Sequence, residues 1–210
     1  FEAEKASKIV IGTAVVLGIA LALFLFIFLP TLIVGLIKPL TQNLVIRNLS
    51  EGVVKIIILL AYMRLCCCVS DVKRLFSYHG AEHKTIFCYE HGKPLTVENV
   101  RTESRFHPRC GTSFLLVVVV VSILVNSVVT LTNSFARMGA HLLLLPVVVG
   151  ISYEINLWCG RHDNWLSAAL SAPGKWLQHM TTNEPDDSMI ECAIRAMELV
   201  IPEEKGSDAW

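Results

Sequence analysis

The 210-residue chain carries 18 basic and 18 acidic residues, so its formal net charge is zero. Only 17% of its residues are charged and 53% are hydrophobic, against about 25% charged in a typical soluble domain. This balance excludes a disordered chain, a nucleic-acid binder driven by a basic surplus and an ordinary soluble enzyme; it points to a chain whose apolar surface lies in lipid.

In chain order, Ile9 to Leu29 is uncharged. At ~1.5 Å per residue it is long enough for a hydrocarbon layer of ~30 Å, and it is expected to end at Pro30. Lys5 and Lys8 precede it, as in a signal peptide, but the run is too long for one and no small-residue cleavage site follows. Thr31 to Leu40 is too short to span and reads as an interfacial turn or a helix extension. Gly52 to Val69 is the second span; Lys55 and Arg64 sit near enough to its ends to snorkel. Phe114 to Leu131 is rich in β-branched residues, yet in lipid such a run is best satisfied as a helix. Ser122 and Asn126 within it are of the polar type that joins helices. His141 to Trp158, interrupted by Pro146 and Glu154, is the fourth span. Glu154 reads as the lone buried acid, and His141 and His162 read as interfacial.

The expected fold is an all-α polytopic membrane protein with about four transmembrane helices. Residues 1–70 hold helices 1 and 2, and residues 71–113 a His/Cys-rich loop. Residues 114–158 hold helices 3 and 4, and residues 159–210 an interfacial and helical tail. With four spans, the N-terminus, the loop and the tail share one side. That side holds most of the basic residues, while the other holds Lys38, Arg47 and Arg137. The positive-inside bias places the loop and C-terminus in the cytoplasm. Reduced thiols are expected there for the seven cysteines.

The chemistry concentrates in the middle stretch. His79, Glu82 and His83 fit an H-x-x-E-H pattern. On a helix, positions i and i+4 share a face, so both imidazoles can reach one ion, and Glu82 can act as general base toward a water. Gly80 and Ala81 leave room for another segment to approach. His107 and Cys110, spaced i, i+3, are further ligand candidates. His79, His83, His107 and Cys110 together would close a structural tetrahedral site, whereas Cys110 off the metal would leave a position open. Glu154, within a span, is the remaining candidate, as a metal ligand or as a partner of Arg64. Tyr89 and Glu90 are candidates to support the site. The expected cofactor is a divalent metal, zinc by its donor types.

In the tail, Asn164 to His179 reads as an amphipathic interfacial segment broken at Pro173-Gly174. Asp186, Asp187 and Ser188 suit a helix start, with Ile190, Ile194, Met197 and Ile201 on one face. Residues 71–113 hold seven basic against five acidic side chains; from Cys159 onward there are four against nine. The tail is therefore expected to dock on the loop.

Tyr78-His-Gly-Ala-Glu-His-Lys-Thr-Ile86, Leu95-Thr-Val-Glu-Asn-Val-Arg101, His107-Pro-Arg-Cys-Gly-Thr-Ser-Phe114, Ser152-Tyr-Glu154 and Glu184-Pro-Asp-Asp187 together resemble the YqhQ-like family of bacterial membrane proteins. The resemblance covers nearly the whole chain. It implies a multi-pass protein of the bacterial plasma membrane, a metal-dependent enzyme, and functional weight on His79, Glu82, His83, His107, Cys110 and Glu154. The Gly-Gly-Gln-Ala-Val-rich segment and Glu-Gly-Val-Met-Met run with which such proteins begin are absent from these residues. The expected activity is metal-dependent hydrolysis of a peptide or other membrane-proximal bond. The alternative is a non-enzymatic membrane platform or membrane-protein biogenesis factor with a structural metal or His cluster. The expected partners are the lipid bilayer and other membrane proteins or a peptide substrate, with no nucleic acid. A transporter is disfavoured by the lack of paired charges in the spans.

Overall fold

A computed structural model of the chain describes residues 2–37, 43–162 and 164–202, with side chains from residue 8 onward apart from that of Ser134. Lys38, the end of the Thr31–Leu40 run and residues 203–210 lie outside the described residues. Every element among the described residues is helical. In order they are α1 (Glu2–Leu23), a π-helical turn (Phe24–Phe28), α2 (Leu29–Gly35), α3 (Leu44–Cys66), α4 (Ser70–Glu90) and α5 (Val97–Thr102). They continue with α6 (Gly111–Ser127), α7 (Ser134–Arg161), α8 (Trp165–Thr181) and α9 (Asp187–Glu198).

Among the described residues two helices are long and apolar enough to cross a membrane, Lys8–Gly35 and Phe135–Arg161. Leu44–Cys66 and Ser70–Glu90 are bent by 100° at their break and add a third if the pair is one span. Gly111–Ser127 is shorter. Length and composition thus support two or three spans where the sequence led us to expect four. The third predicted run shortens because Asn48 Nδ2 donates to the Ser127 and Val129 carbonyls at 3.1 and 3.2 Å, binding the chain where the helix stops. From Lys8 to Phe24 every residue is exposed, as suits a helix bathed in lipid.

The chain folds as two compact units: Phe1–Leu60 with Val119–Val149, and Ala61–Val118 with Gly150–Trp210. In the first, the expected end at Pro30 does not occur, and the helix continues to Gly35. Pro30 cannot donate a backbone hydrogen bond. The preceding π-helical turn widens the spiral and so makes room for the ring, and Thr31 Oγ1 adds a bond to the Ile27 carbonyl at 3.1 Å. Gly52 lets α3 and α6 touch: a Cβ there would lie 2.5 Å from Ile123 Cγ1. Small residues permit such approaches where no water drives helices together. Two expectations are corrected in this unit. His141 is buried, not interfacial. The buried acid is Glu51, bonded by Arg137, so paired charges do occur within these helices. The second correction follows from α3 starting at Leu44, which draws Arg47 and Glu51 into a helix.

In the second unit most of the expected loop is helix. Its core joins Ala81 and Cys88 of α4, Val100 of α5, and Ile190, Ala193 and Ile194 of α9. Burying each of the two isoleucines contributes about 1.5–3 kcal/mol. Gly92, at φ 66°, closes α4: the amide of Lys93 reaches back to the Cys88 carbonyl, and a left-handed residue is needed between them. α9 starts as expected, with Asp186 accepting the Met189 amide at 3.0 Å. The anticipated break at Pro173-Gly174 is absent, and α8 is continuous. Pro173 lies on the exposed side, where the carbonyl it fails to satisfy is not trapped. Gly174 packs on Ser113, where a Cβ would meet the serine Cβ at 2.6 Å.

The tail docks through the charges expected of it. Arg101 holds Asp187 through both carboxylate oxygens at 2.6 Å. Lys84, itself buried, reaches Glu184 at 3.0 Å, and Arg105 reaches the same carboxylate at 3.5 Å. Beside these pairs the chain from α8 to α9 crosses α4 at Gly80. A Cβ there would fall 2.1 Å from the Asn183 carbonyl oxygen, which explains the small residue inside the motif.

Candidate metal centre

α4 presents His79 and His83 on one face, with ring centroids 4.3 Å apart. Cys110 stands just before α6, and its carbonyl accepts the Phe114 amide as the helix begins. His79, His83 and Cys110 form a group that could hold a metal ion, their ligand atoms all within 4.8 Å of one another. Cys110 Sγ lies 3.3 Å from His79 Nε2. Ligands ~2.0–2.3 Å from a tetrahedral ion sit about 3.3–3.8 Å from each other, so this edge already has the required length.

The hydrogen bonds of the two histidines set their tautomers. His79 Nδ1 faces the Thr181 carbonyl at 2.8 Å, and His83 Nδ1 faces the Arg105 carbonyl at 2.6 Å. A carbonyl only accepts, so both Nδ1 atoms carry the proton. Each Nε2 is left with a lone pair for a ligand. Metal-binding histidines are held in this way, by a carbonyl or carboxylate behind the ring. The donor set of two imidazoles and one thiolate fits zinc.

Cys110 is buried, and burial alone would push its thiol up. His79 and His83, each donating from Nε2 when its ring is doubly protonated, together with Thr112 outweigh that and bring it down to about 5. The Thr112 hydroxyl lies 3.1 Å from the sulfur and its amide donates at 3.4 Å, so the start of α6 faces the sulfur with a donor that favours a thiolate. His79 is held above its ordinary value, mainly by its bond to Cys110 against an opposing effect of burial. The Thr181 carbonyl and the charges of Cys110 and Glu82 add to the rise.

The other predicted site residues are placed differently. His107 is buried, and burial holds its imidazole below the ordinary value. Its Nδ1 accepts the Arg109 amide at 3.2 Å, so Nε2 carries the proton and faces Glu90 at 3.2 Å. Both ring nitrogens are thus engaged, and His107 is outside the three-ligand group. Arg109 also binds Glu90, so the contacts of Glu90 are to His107 and Arg109 rather than to the three-ligand group. Glu82 is exposed, close enough for its charge to act on His79. Glu154 is exposed and outside the group.

Three residues of this region carried no motif. Gln178 is fully buried; its Oε1 accepts the His107 amide at 2.8 Å, and its Nε2 donates to the His107 carbonyl and to Ser113 Oγ, each at 2.7 Å. It clamps both sides of Cys110. Thr181 and Arg105 act through their backbone oxygens. The one available signal was periodic: Gln178 and Thr181 continue the face of α8 that holds Leu170, Gly174 and Leu177.

A family model described as "Protein of unknown function (DUF1385)" matches residues 1–203. The "Uncharacterized protein YqhQ" of Bacillus subtilis (strain 168) is 38% identical over 182 residues, covering 86% of this chain and 57% of that protein. The chain therefore spans less than two thirds of the length of this relative. No solved structure matches. With a match across nearly its whole length, and a YqhQ relative as its motifs imply, the chain belongs to the DUF1385 family.

Proposed function

We propose that the protein is a membrane-embedded, metal-dependent hydrolase whose divalent ion, zinc by its donor set, is held by His79, His83 and Cys110. The observation that carries this reading is the pair of imidazoles, each tied through Nδ1 to a backbone carbonyl beside the Cys110 sulfur. Three ligands leave a fourth position open, the arrangement of catalytic rather than structural zinc sites. Zinc so held supplies Lewis acidity and activation of water. The chain's own residues do the rest: the Thr181 and Arg105 carbonyls fix the tautomers, and the exposed Glu82 carboxylate accepts the proton of the attacking water. The substrate is a peptide or other bond at the membrane surface.

Elemental analysis of the purified full chain is expected to find about one zinc per protein, at the stoichiometry of a single site. Glu82→Gln should keep the metal while hydrolysis falls by about 10²–10⁴-fold, the range for loss of a general base. Metal-free protein as isolated, or undiminished turnover by Glu82→Gln, sinks the reading.

In the bacterial plasma membrane the chain would cross four times, α6 included, with the 71–113 region and C-terminus cytoplasmic. The basic residues of those segments support this sidedness. A reporter fused after Trp210 should then read cytoplasmic, and a periplasmic signal there overturns the arrangement.

A second reading draws on the depressed Cys110 thiol. Cys110 with His79, oriented in turn by the Thr181 carbonyl, has the form of a thiolate nucleophile and its base. Activity that resists a chelator but not iodoacetamide selects this reading over the metal one.

A further inference from the structure

The first unit contains a concentration of charge that the metal centre does not use. Arg47, Asn48, Glu51 and Lys55 of α3, Arg137 and His141 of α7, and Thr31 of α2 are each at least nine-tenths buried. Glu51 Oε1 accepts from Arg137 Nη2 and lies 3.6 Å from Arg47 Nε. Its Oε2 lies 3.4 Å from the Thr31 hydroxyl. One carboxylate thus faces two guanidinium groups, with Lys55 buried one helical turn further along α3, and the other acids in this unit's sequence are Glu2 and Glu4 near the N-terminus.

The donors are not used up. Among the described residues Arg137 Nε and Nη1 have no hydrogen-bond partner, and neither ring nitrogen of His141 has one. His141 stands one helical turn beyond Arg137 on α7, as Lys55 stands one turn beyond Glu51 on α3, so the buried groups flank the Glu51–Arg137 pair. An uncompensated cation and an unpaired polar group are both costly away from water, more so among membrane helices. The complement to a free guanidinium edge, an ammonium and an imidazole is an anion with several acceptor oxygens, and arginine in particular matches phosphate.

We propose that this cluster binds a phosphate-bearing group, held by Arg137, Lys55 and His141 while Glu51 anchors Arg137 from the other side. Phosphate of this kind comes either free or as the headgroup of an acidic phospholipid. An open apolar trough of about 500 Å³, lined by Phe24, Ile27 and Phe28 of the π-helical turn and by Phe135, Met138 and Leu142 of α7, would take an acyl chain. It shares the turns of α7 that carry Arg137 and His141.

The test uses the purified, delipidated full chain in detergent. Thermal unfolding is followed with added phosphatidylglycerol, phosphatidylcholine or inorganic phosphate, and native mass spectrometry records retained lipid. Stabilisation and retention with phosphatidylglycerol, but not with phosphatidylcholine or phosphate, support the site and identify a lipid source. Stabilisation by inorganic phosphate, with phosphatidylglycerol no better than phosphatidylcholine, supports it with a free anion. Lys55→Met and His141→Phe leave the Glu51–Arg137 pair intact. Each should weaken binding on the order of tenfold, as for one hydrogen bond to a charged group, and Lys55→Arg should restore it. Failure of both anions to act on the wild-type chain overturns the proposal, and so does wild-type binding by Lys55→Met and His141→Phe. The wild-type arms decide alone if a variant does not fold.

Discussion

His79→Ala and Cys110→Ser are each expected to lower zinc affinity by more than about a hundredfold, since losing even a group behind a ligand costs ~10–100-fold. A ligand that binds the folded chain at a hundred times its Kd adds about 2.7 kcal/mol of stability. The wild type should therefore melt higher with zinc than after chelation, and the two variants should melt alike with or without it. His107→Gln supplies the contrast. Its ring is occupied by Glu90 and the Arg109 amide, so it should retain zinc. Equilibrium dialysis with calorimetry on all four proteins reads these differences. If His107→Gln loses the metal while Cys110→Ser keeps it, the assigned ligands are wrong.

Gln178→Leu is expected to be the most destabilising single change in the second unit. Leucine fills much the same volume but strands the His107 amide, the His107 carbonyl and Ser113 Oγ, all bonded to Gln178. At ~1–3 kcal/mol for each buried group left unpaired, the cost is at least about 3 kcal/mol. Because the clamp grips the chain on both sides of Cys110, zinc affinity should fall with it although Gln178 touches no ligand. Thermal unfolding and metal titration measure the two effects. A variant that melts with the wild type would show that the clamp contributes nothing.

The site was legible in the sequence where side chains carry it. His79 and His83 stand one helical turn apart, and Cys110 is a thiol in the adjoining polar stretch; residue type and spacing name them as candidates, but alongside His107 and Glu154, which lie outside the group. The small residues at 80 and 81 announced a crossing segment, and the opposed charges of residues 71–113 and the tail announced its docking. What stayed hidden is carried by backbone oxygens. The carbonyls of Thr181 and Arg105 fix both tautomers, and any residue has a carbonyl. The diversion of His107 was hidden because Glu90 lies seventeen positions away and only the fold brings them together. In the other unit, a hydropathy boundary placed at Gly52 left Arg47 and Glu51 outside the second span. The helix in fact starts at Leu44, where a buried partner on α7 compensates the charge that an apolar window rejects. Pro30 and Pro173 misled for a related reason: a helix tolerates a missing amide where the spiral widens ahead of it or where the proline lies on an exposed side.

The bare surface at Gly80 works as a keyway. Asn183 fits over α4 only where no Cβ stands, and one helical turn away along the same face lie Phe76 and Lys84, both too large to admit it. The tail therefore cannot slide along α4 and still pack, and a single register delivers the Thr181 carbonyl to His79. One missing methyl group thus fixes a distance between two segments a hundred residues apart in sequence, with the ligand geometry set by that seating.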